Sequence, residues 1–453
     1  MMSPACIGVL ASGGGKATPL FCPNFVDLSL RAGQGAATFT RASTGTVFDA
    51  NWALKSMSTN VHRLQGGIWS GSAWSAPGVT STSKLGVTWF DQNGFGLLLE
   101  PTRTNYIYAS TQDQGGNNPQ NVNLETFANI GTGIDGGACL RLGKPQGWGW
   151  YSARWSGVNG VFPAGTPAAA QAIYKIIAGD NPHFSYMQVL GGASSSQFYH
   201  DPYSKTCHVT GDASIDADVT ELGTTGFIRA TECHIPSGED YAYLEHLIDG
   251  GATHWTFNSG GTGATTIDSA HVQVEAGHGV STPIVTGISA VTRASEALRW
   301  PATGNVNGAS GVLIVELELP FLKDTSLLSS GAMGLVSLTG SAASLCYYDF
   351  AAQAFKATDG SNSASIAAVP ARGKRFRVAV RWDVATNQLQ IGCKNITDPG
   401  AWSWGTVTSF AGSFAGSDGY ITLGVGIPES ILIANAMILG SVQSTVAIQG
   451  DFS

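Results

Sequence analysis

Hydrolysis of a glycosidic bond needs two carboxylates, about 5 Å apart or about 6.5–9.5 Å apart. The chain offers one run of alternate glutamates, Glu316-Leu317-Glu318. It also offers one acidic–aromatic cluster, Glu239-Asp240 and Glu245 among Tyr241, Tyr243 and His246. Strand alternation puts Glu316 and Glu318 on one face, and a third carboxylate is missing from that strand. A solvated outer face is the simpler expectation for this pair, and the tyrosine cluster reads equally well as an ordinary strand. His200-Asp201 with His208 and Asp212 is the densest metal-type grouping, but it lacks the spacing of a metal helix or hairpin. Gly13-Gly14-Gly15-Lys16 is not a phosphate loop, because Leu10 and Ala17 stand where glycine and Lys-Ser/Thr spacing would be required. No Ser nucleophile sits in a strand–turn–helix context. The expectation is therefore no catalytic residue, no metal and no cofactor. A glycan depolymerase is the one serious enzyme rival.

Aromatic residues give a different kind of candidate. Trp148 and Trp150 share a strand face, with Tyr151 and Trp155 close by, and Trp402 and Trp404 repeat the spacing. Exposed, such rings stack on the apolar faces of sugars; buried, they are core. These six residues are the glycan-binding candidates.

The elements that position these residues are short. Only 12% of residues are charged and 59 are glycine, so there is little Glu, Lys or Arg to solvate the outer faces of helices. With 12 Trp, 12 Tyr and 19 Phe the chain has material for real cores and is not disordered. Strand-length apolar pieces recur between Gly/Ser/Asn/Asp clusters, among them Gly137–Leu142, Phe184–Leu190, Gly226–His234 and Thr253–Asn258. Leu97-Leu98-Leu99 is continuous and suits a strand buried on both faces. In Gly311–Leu319 the residues Val315, Leu317 and Leu319 alternate with the two glutamates. Arg375–Asp383, Gln388–Lys394 and Tyr420–Val425 follow, and Ser441–Ser453 reads as an end strand or tail.

This pattern predicts an all-β chain of tandem jelly-roll β-sandwiches with an extended N-terminal arm. The expected divisions are a docking arm over 1–30, a small β region over 31–108, a middle jelly roll over 109–299 and a C-terminal jelly roll over 300–453. Seven widely spaced cysteines, an odd number, suit buried thiols rather than a disulfide framework, as in a protein folded in a reducing cytosol. A net charge of −8 without a basic stripe gives no attraction to nucleic acid. No apolar run is long enough for membrane insertion.

Three ordered stretches carry a resemblance. The first is Ala37-Thr38-Phe39-Thr40-Arg41-Ala42-Ser43-Thr44-Gly45-Thr46. The second is Gly96-Leu97-Leu98-Leu99-Glu100-Pro101-Thr102-Arg103-Thr104-Asn105. The third runs through Gln273-Val274-Glu275-Ala276-Gly277, Ser281-Thr282-Pro283-Ile284-Val285-Thr286 and Val291-Thr292-Arg293-Ala294-Ser295-Glu296. In this order they resemble motifs of bacteriophage virion appendage proteins, of tail- or head-fibre type, with a concanavalin A-like (LamG-type) jelly roll at the C-terminal end. The resemblance implies a structural virion protein assembled in the host cytoplasm and released by lysis. It implies a homotrimer, docked on other virion proteins through its arm and contacting a host-surface glycan. A carbohydrate-binding receptor module is the alternative.

The residues themselves suggest structural roles. Glu100 and Arg103 are expected to pair across the turn at Pro101. Thr40-Arg41-Ala42-Ser43 echoes Thr292-Arg293-Ala294-Ser295, which suggests equivalent buried arginines, each with a carboxylate, at the two borders of the middle domain. Asn105, Gln273 and Glu275 complete the motif set.

Overall fold

The structure, a computed structural model, describes residues 19–453 apart from 77–79, 83–87, 91–93, 109, 112–118, 147–150, 159–161, 180–183, 191–194, 202–204, 212, 237–242, 250–262, 399, 415–416 and 452–453. The Gly13–Lys16 stretch, the Glu239–Tyr241 part of the acidic cluster, Asp212 and the expected strand Thr253–Asn258 lie outside the described residues.

The chain forms two compact units. The first comprises Met1–Ala42, Met57–Pro101 and Ser295–Ser453; the second comprises Ser43–Ser56 and Thr102–Ala294. Three of the four places where the chain passes between units, all but the one at Ser56–Met57, fall within the three stretches singled out in the sequence. The expected 31–108 region is not one body but is divided between the two units.

Among the described residues, the first unit has a nine-stranded and a seven-stranded antiparallel sheet. The larger sheet runs Leu30–Ala32, Pro19–Pro23, Ile431–Leu439, Ser310–Glu318, Arg375–Asp383, Gln388–Asn395, Ser403–Trp404. Gly96–Leu99 joins it between Ile431–Leu439 and Arg63–Gln65. Leu97, Leu98 and Leu99 are accordingly all fully buried, as a run without alternation requires. The smaller sheet runs Thr38–Thr40, Ala297–Pro301, Tyr420–Val425, Ala332–Ser337, Leu345–Asp349, Ala354–Thr358, Ser363–Ala367. Aromatic contacts join the two sheets: Phe21 meets Trp300 edge-on at 5.3 Å, and Phe355 meets Phe376 at 5.9 Å.

The second unit is a jelly-roll sandwich of two six-stranded sheets. One contains Ser152–Ser156 and Ser195–Asp201; the other contains Ala138–Lys144, Ala168–Gly179, Phe227–Ile235 and Thr265–Ala276. Trp155 and Phe198 from the first sheet meet Leu140, Leu142, Ala170 and Val272 from the second in one core. Apart from short helical turns, the all-β expectation holds among the described residues.

Two local expectations change. The arm does not reach residue 30, because Pro19–Pro23 pairs with Ile431–Leu439 and buries Phe21. The C-terminal stretch is neither strand nor tail: Thr445–Asp451 is an α-helix. Ser444 caps it, accepting a hydrogen bond on Oγ from Ala447 N at 3.1 Å, and Ile448 seats its apolar side on the larger sheet. The thiols Cys139, Cys346 and Cys393 are free, and burial holds all three protonated, Cys139 at about 12 and Cys393 at about 11.

Candidate functional site

The motif residues build two buried polar centres, one in each unit. In the first unit, Arg41 follows the short strand Thr38–Thr40, Arg63 opens the strand Arg63–Gln65, Glu100 follows the strand Gly96–Leu99, and Glu296 precedes Ala297–Pro301. All four side chains are fully enclosed. Arg41 Nη1 donates to Glu296 Oε1 at 2.7 Å, and Arg63 Nε donates to the same oxygen at 2.8 Å. Arg63 also salt-bridges Glu100, and Ser430 Oγ donates to Glu100 Oε1 at 2.8 Å. Glu100 N donates to Glu296 Oε2, and Glu296 N to the Glu100 carbonyl. Burial works against the charge on Arg63, but Glu100 and Glu296 beside it push its pKa up. Two cations and two anions balance one another, which is how full burial of ionised groups is tolerated.

In the second unit, Arg103 lies directly opposite Arg293 in the ladder between Arg103–Asn105 and Val291–Arg293. Asn105 uses its whole amide: Oδ1 accepts from Ile107 N and Val274 N, and Nδ2 donates to the carbonyls of Val272 and Ile284. Gln273 Oε1 accepts from Ile284 N at 2.7 Å, and its Nε2 donates to Ser281 Oγ. Glu275 accepts from both Ser281 N and Ser281 Oγ. Burial raises the Glu275 pKa, opposed by Arg103, Ser281 and Arg293. Arg293 Nη1 donates to the carbonyl and hydroxyl of Thr282, and Arg103 Nη1 to the Ala276 carbonyl. The Arg103 guanidinium fills the space where a Cβ on Gly277 would stand, and Gly277 has φ +149°. Only glycine permits that approach and that backbone together.

The expected Glu100–Arg103 pair is thereby replaced. Residues three apart on an extended chain point to opposite sides, and Glu100 turns to Arg63 while Arg103 turns to the Ala276 carbonyl. The two Thr-Arg-Ala-Ser echoes each place an arginine beside a carboxylate. Arg41 pairs directly with Glu296 in the first unit, and Arg293 in the second donates to Thr282 and acts on the buried Glu275. Arg63 and Ser430 carry no signal in the sequence, since neither belongs to any of the three stretches. Glu296 stands in the third stretch, but its partners come from residues 41 and 63.

Glu316 and Glu318 share a face, as alternation demands, but that face is not solvated. Glu316 is 1% exposed and Glu318 8%. The next strand places Arg377 opposite Glu316 and Arg375 opposite Glu318. Glu316 accepts from Arg375 Nη2 at 2.8 Å, Arg377 Nε at 2.6 Å and Asn435 Nδ2 at 2.6 Å. Burial alone would raise its pKa, but the two arginines and Asn435 overcome it and hold the carboxyl below its usual range. A general acid for glycoside cleavage needs the opposite shift.

The glycan candidates separate. Trp148 and Trp150 lie outside the described residues. Trp155 is buried in the core of the second sandwich, because its strand turns that face to the opposite sheet, and it offers no platform. Tyr151 is half-buried against the same core, with Lys144 Nζ 5.3 Å from its ring centre. Trp402 and Trp404 differ: both are half-buried at the edge of the larger sheet of the first unit, stacked 5.6 Å apart with planes inclined by 20°.

His271, fully buried beside Gln273, has a practical consequence. Burial lowers its pKa from the ordinary 6.5 to about 4, with Gln273 opposing and Arg229 adding to the shift. Between those values the unfolded chain binds the extra proton, so stability falls as pH drops from about 6.5 to 4, by on the order of 3 kcal/mol. Urea midpoints measured across that window should show this slope in the wild type and lose it in His271→Gln. An unchanged slope in the variant would assign the acid sensitivity elsewhere.

No family model matches the chain, and no curated protein matches it. Among solved structures, it is similar to the N-terminal CBM22-1–CBM22-2 tandem domain of Xyn10C from Paenibacillus barcinonensis. That likeness has 9% identity and a TM-score of 0.23, over 74% of this chain and 98% of the other. It is similar to domains LG4–5 of the mouse laminin α1 chain, at 9% identity and a TM-score of 0.19, over 72% and 90% of the two chains. It is also similar to the tail fiber protein gp63.1 of an E. coli phage, at 9% identity and a TM-score of 0.20, over 77% of this chain and 41% of the other. These scores are too low for the likenesses to carry an argument about function.

Proposed function

We propose that the protein is a non-enzymatic structural component of a bacteriophage particle, a fibre- or tail-associated appendage facing the host. One observation carries this reading. The charged and amide side chains of the three ordered stretches resembling phage structural motifs make polar contacts in two enclosed centres: Arg41, Glu100 and Glu296 in one, Arg103, Asn105, Gln273, Glu275 and Arg293 in the other. Side chains so engaged hold distant chain segments together and are not presented to a substrate. The motif is the signature of a scaffold, as a particle protein requires. The segment ahead of Pro19 is the docking arm in this reading, and the assembly is a homotrimer.

The test is mass spectrometry of particles purified through two density gradients. The chain should be recovered at a fixed stoichiometry divisible by three, and an antibody to it should decorate an appendage. Particles that retain infectivity and contain none of this chain would overturn the proposal.

A further inference from the structure

The outer face of the larger sheet in the first unit can be followed in rows across its strands. One row runs Trp404, Gly392, Ala379, Ile314, Met437. The next runs Lys394, Arg377, Glu316, Asn435, and continuing the edge register by one residue brings Trp402 opposite Lys394. The apolar row supports the tryptophans: a Cβ on Gly392 would meet the Trp404 ring at 2.6 Å, so the indole lies flat on bare backbone. The two indole N–H groups have no acceptor among the described residues. Stacking and packing, not hydrogen bonds, hold the rings parallel.

The polar row becomes more open toward the tryptophans. Glu316 and Asn435 are buried, the Arg377 side chain is 11% exposed, and Lys394 is half-buried. Lys394 makes no hydrogen bond or ion pair among the described residues. An aromatic pair, an uncommitted ammonium and a guanidinium therefore lie within roughly 10 Å on adjacent strands. Arg377 is already held by Glu316, so the Lys394 ammonium supplies the unpaired positive charge of this row, on a chain of net charge −8.

We propose that Trp402, Trp404, Lys394 and Arg377 form a subsite for one acidic sugar residue of a polysaccharide, with the ring on the tryptophans and its anionic group on Lys394. The C–H groups on one face of a pyranose are complementary to the negative face of an indole. A cation beside the platform then selects charged sugars over neutral ones. Single-stranded nucleic acid also uses stacking and cations. It is the weaker fit, since its closely spaced phosphates meet one unpaired cation here, on a chain of net negative charge. The subsite stands apart from the particle assignment: a glycan result tests one, and the protein content of particles tests the other.

The experiment uses the full chain in calorimetry and tryptophan fluorescence. The panel comprises oligosaccharides bearing uronate, sialate or phosphate groups, neutral oligosaccharides of matched length, and a thymidine dodecamer. At least one acidic oligosaccharide should bind with a fluorescence change and with affinity that falls as salt rises. Lys394→Gln should weaken that binding about tenfold, the scale of one charged hydrogen bond, and leave neutral sugars unaffected. Trp402→Ala should weaken acidic and neutral sugars alike, with an unchanged urea midpoint showing that the fold is intact. Binding to none of the acidic probes, equal affinity in Lys394→Gln, or tighter binding of the dodecamer would each overturn the proposal.

Discussion

Replacing Arg63 by methionine is expected to destabilise the first unit by about 3–5 kcal/mol, the range for breaking a fully buried ion pair. Arg63 is the member that touches both carboxylates. It bridges Glu100 and Glu296, while Arg41 forms its salt bridge with Glu296. Methionine fills much of the volume but leaves two carboxylates against one cation in a site without solvent. The excess negative charge, not lost packing, is the main source of the effect. A second substitution can show this. In Arg63→Met/Glu100→Gln the charges balance again and the Arg41–Glu296 pair survives, so part of the stability should return. Urea unfolding followed by fluorescence gives the comparison as a double-mutant cycle, which isolates the coupling. A loss below about 1 kcal/mol in Arg63→Met, on the scale of a surface pair, would remove the centre from any role in holding the unit together.

The parts of this architecture that are readable from the chain are those that depend on near neighbours. Alternation places the strands at Ser310–Glu318, Arg375–Asp383 and Tyr420–Val425 within a residue. The unbroken run Leu97–Leu99 announces a strand enclosed on both faces. What cannot be read depends on pairing across long separations. Whether Glu316 meets water or arginine is decided by a strand about sixty residues later. Nothing in Glu-Leu-Glu distinguishes the two outcomes. The division into units is of the same kind, since Ser43–Ser56 belongs to one unit with the sequence-distant Thr102–Ala294. The helix at Thr445–Asp451 has a local signal in Ser444, four residues before Ile448, but one capping serine and a single buried residue are too short a pattern to separate from a tail. The candidate site follows the same rule. Spacing identifies Trp402 and Trp404 as a pair, and only the register across the sheet shows Lys394 and Arg377 beside them.

Glu316→Ala should cost about as much as Arg63→Met, for the opposite electrostatic reason. The carboxylate takes hydrogen bonds from Arg375, Arg377 and Asn435. Its removal leaves two guanidiniums on neighbouring positions of one strand, one of them with a side chain only 2% exposed. An expected loss of about 3–5 kcal/mol follows from breaking this buried pairing. Glu316→Gln keeps the shape and one acceptor and should lose less. The pair also separates electrostatics from shape through pH. The folded-state pKa of Glu316 lies below its ordinary value. Its contribution is therefore complete at neutral pH and is lost as pH falls below the ordinary carboxylate range, through the folded-state value. Glu275 works in the other sense, because its raised pKa makes protonation favour the folded state. Replacing Glu316 by glutamine should thus flatten the acid limb below the ordinary carboxylate range while lowering the neutral plateau. A variant that loses plateau and keeps the acid limb would show that Glu316 acts through packing alone. A variant that loses neither would return it to the solvated face that its sequence suggests.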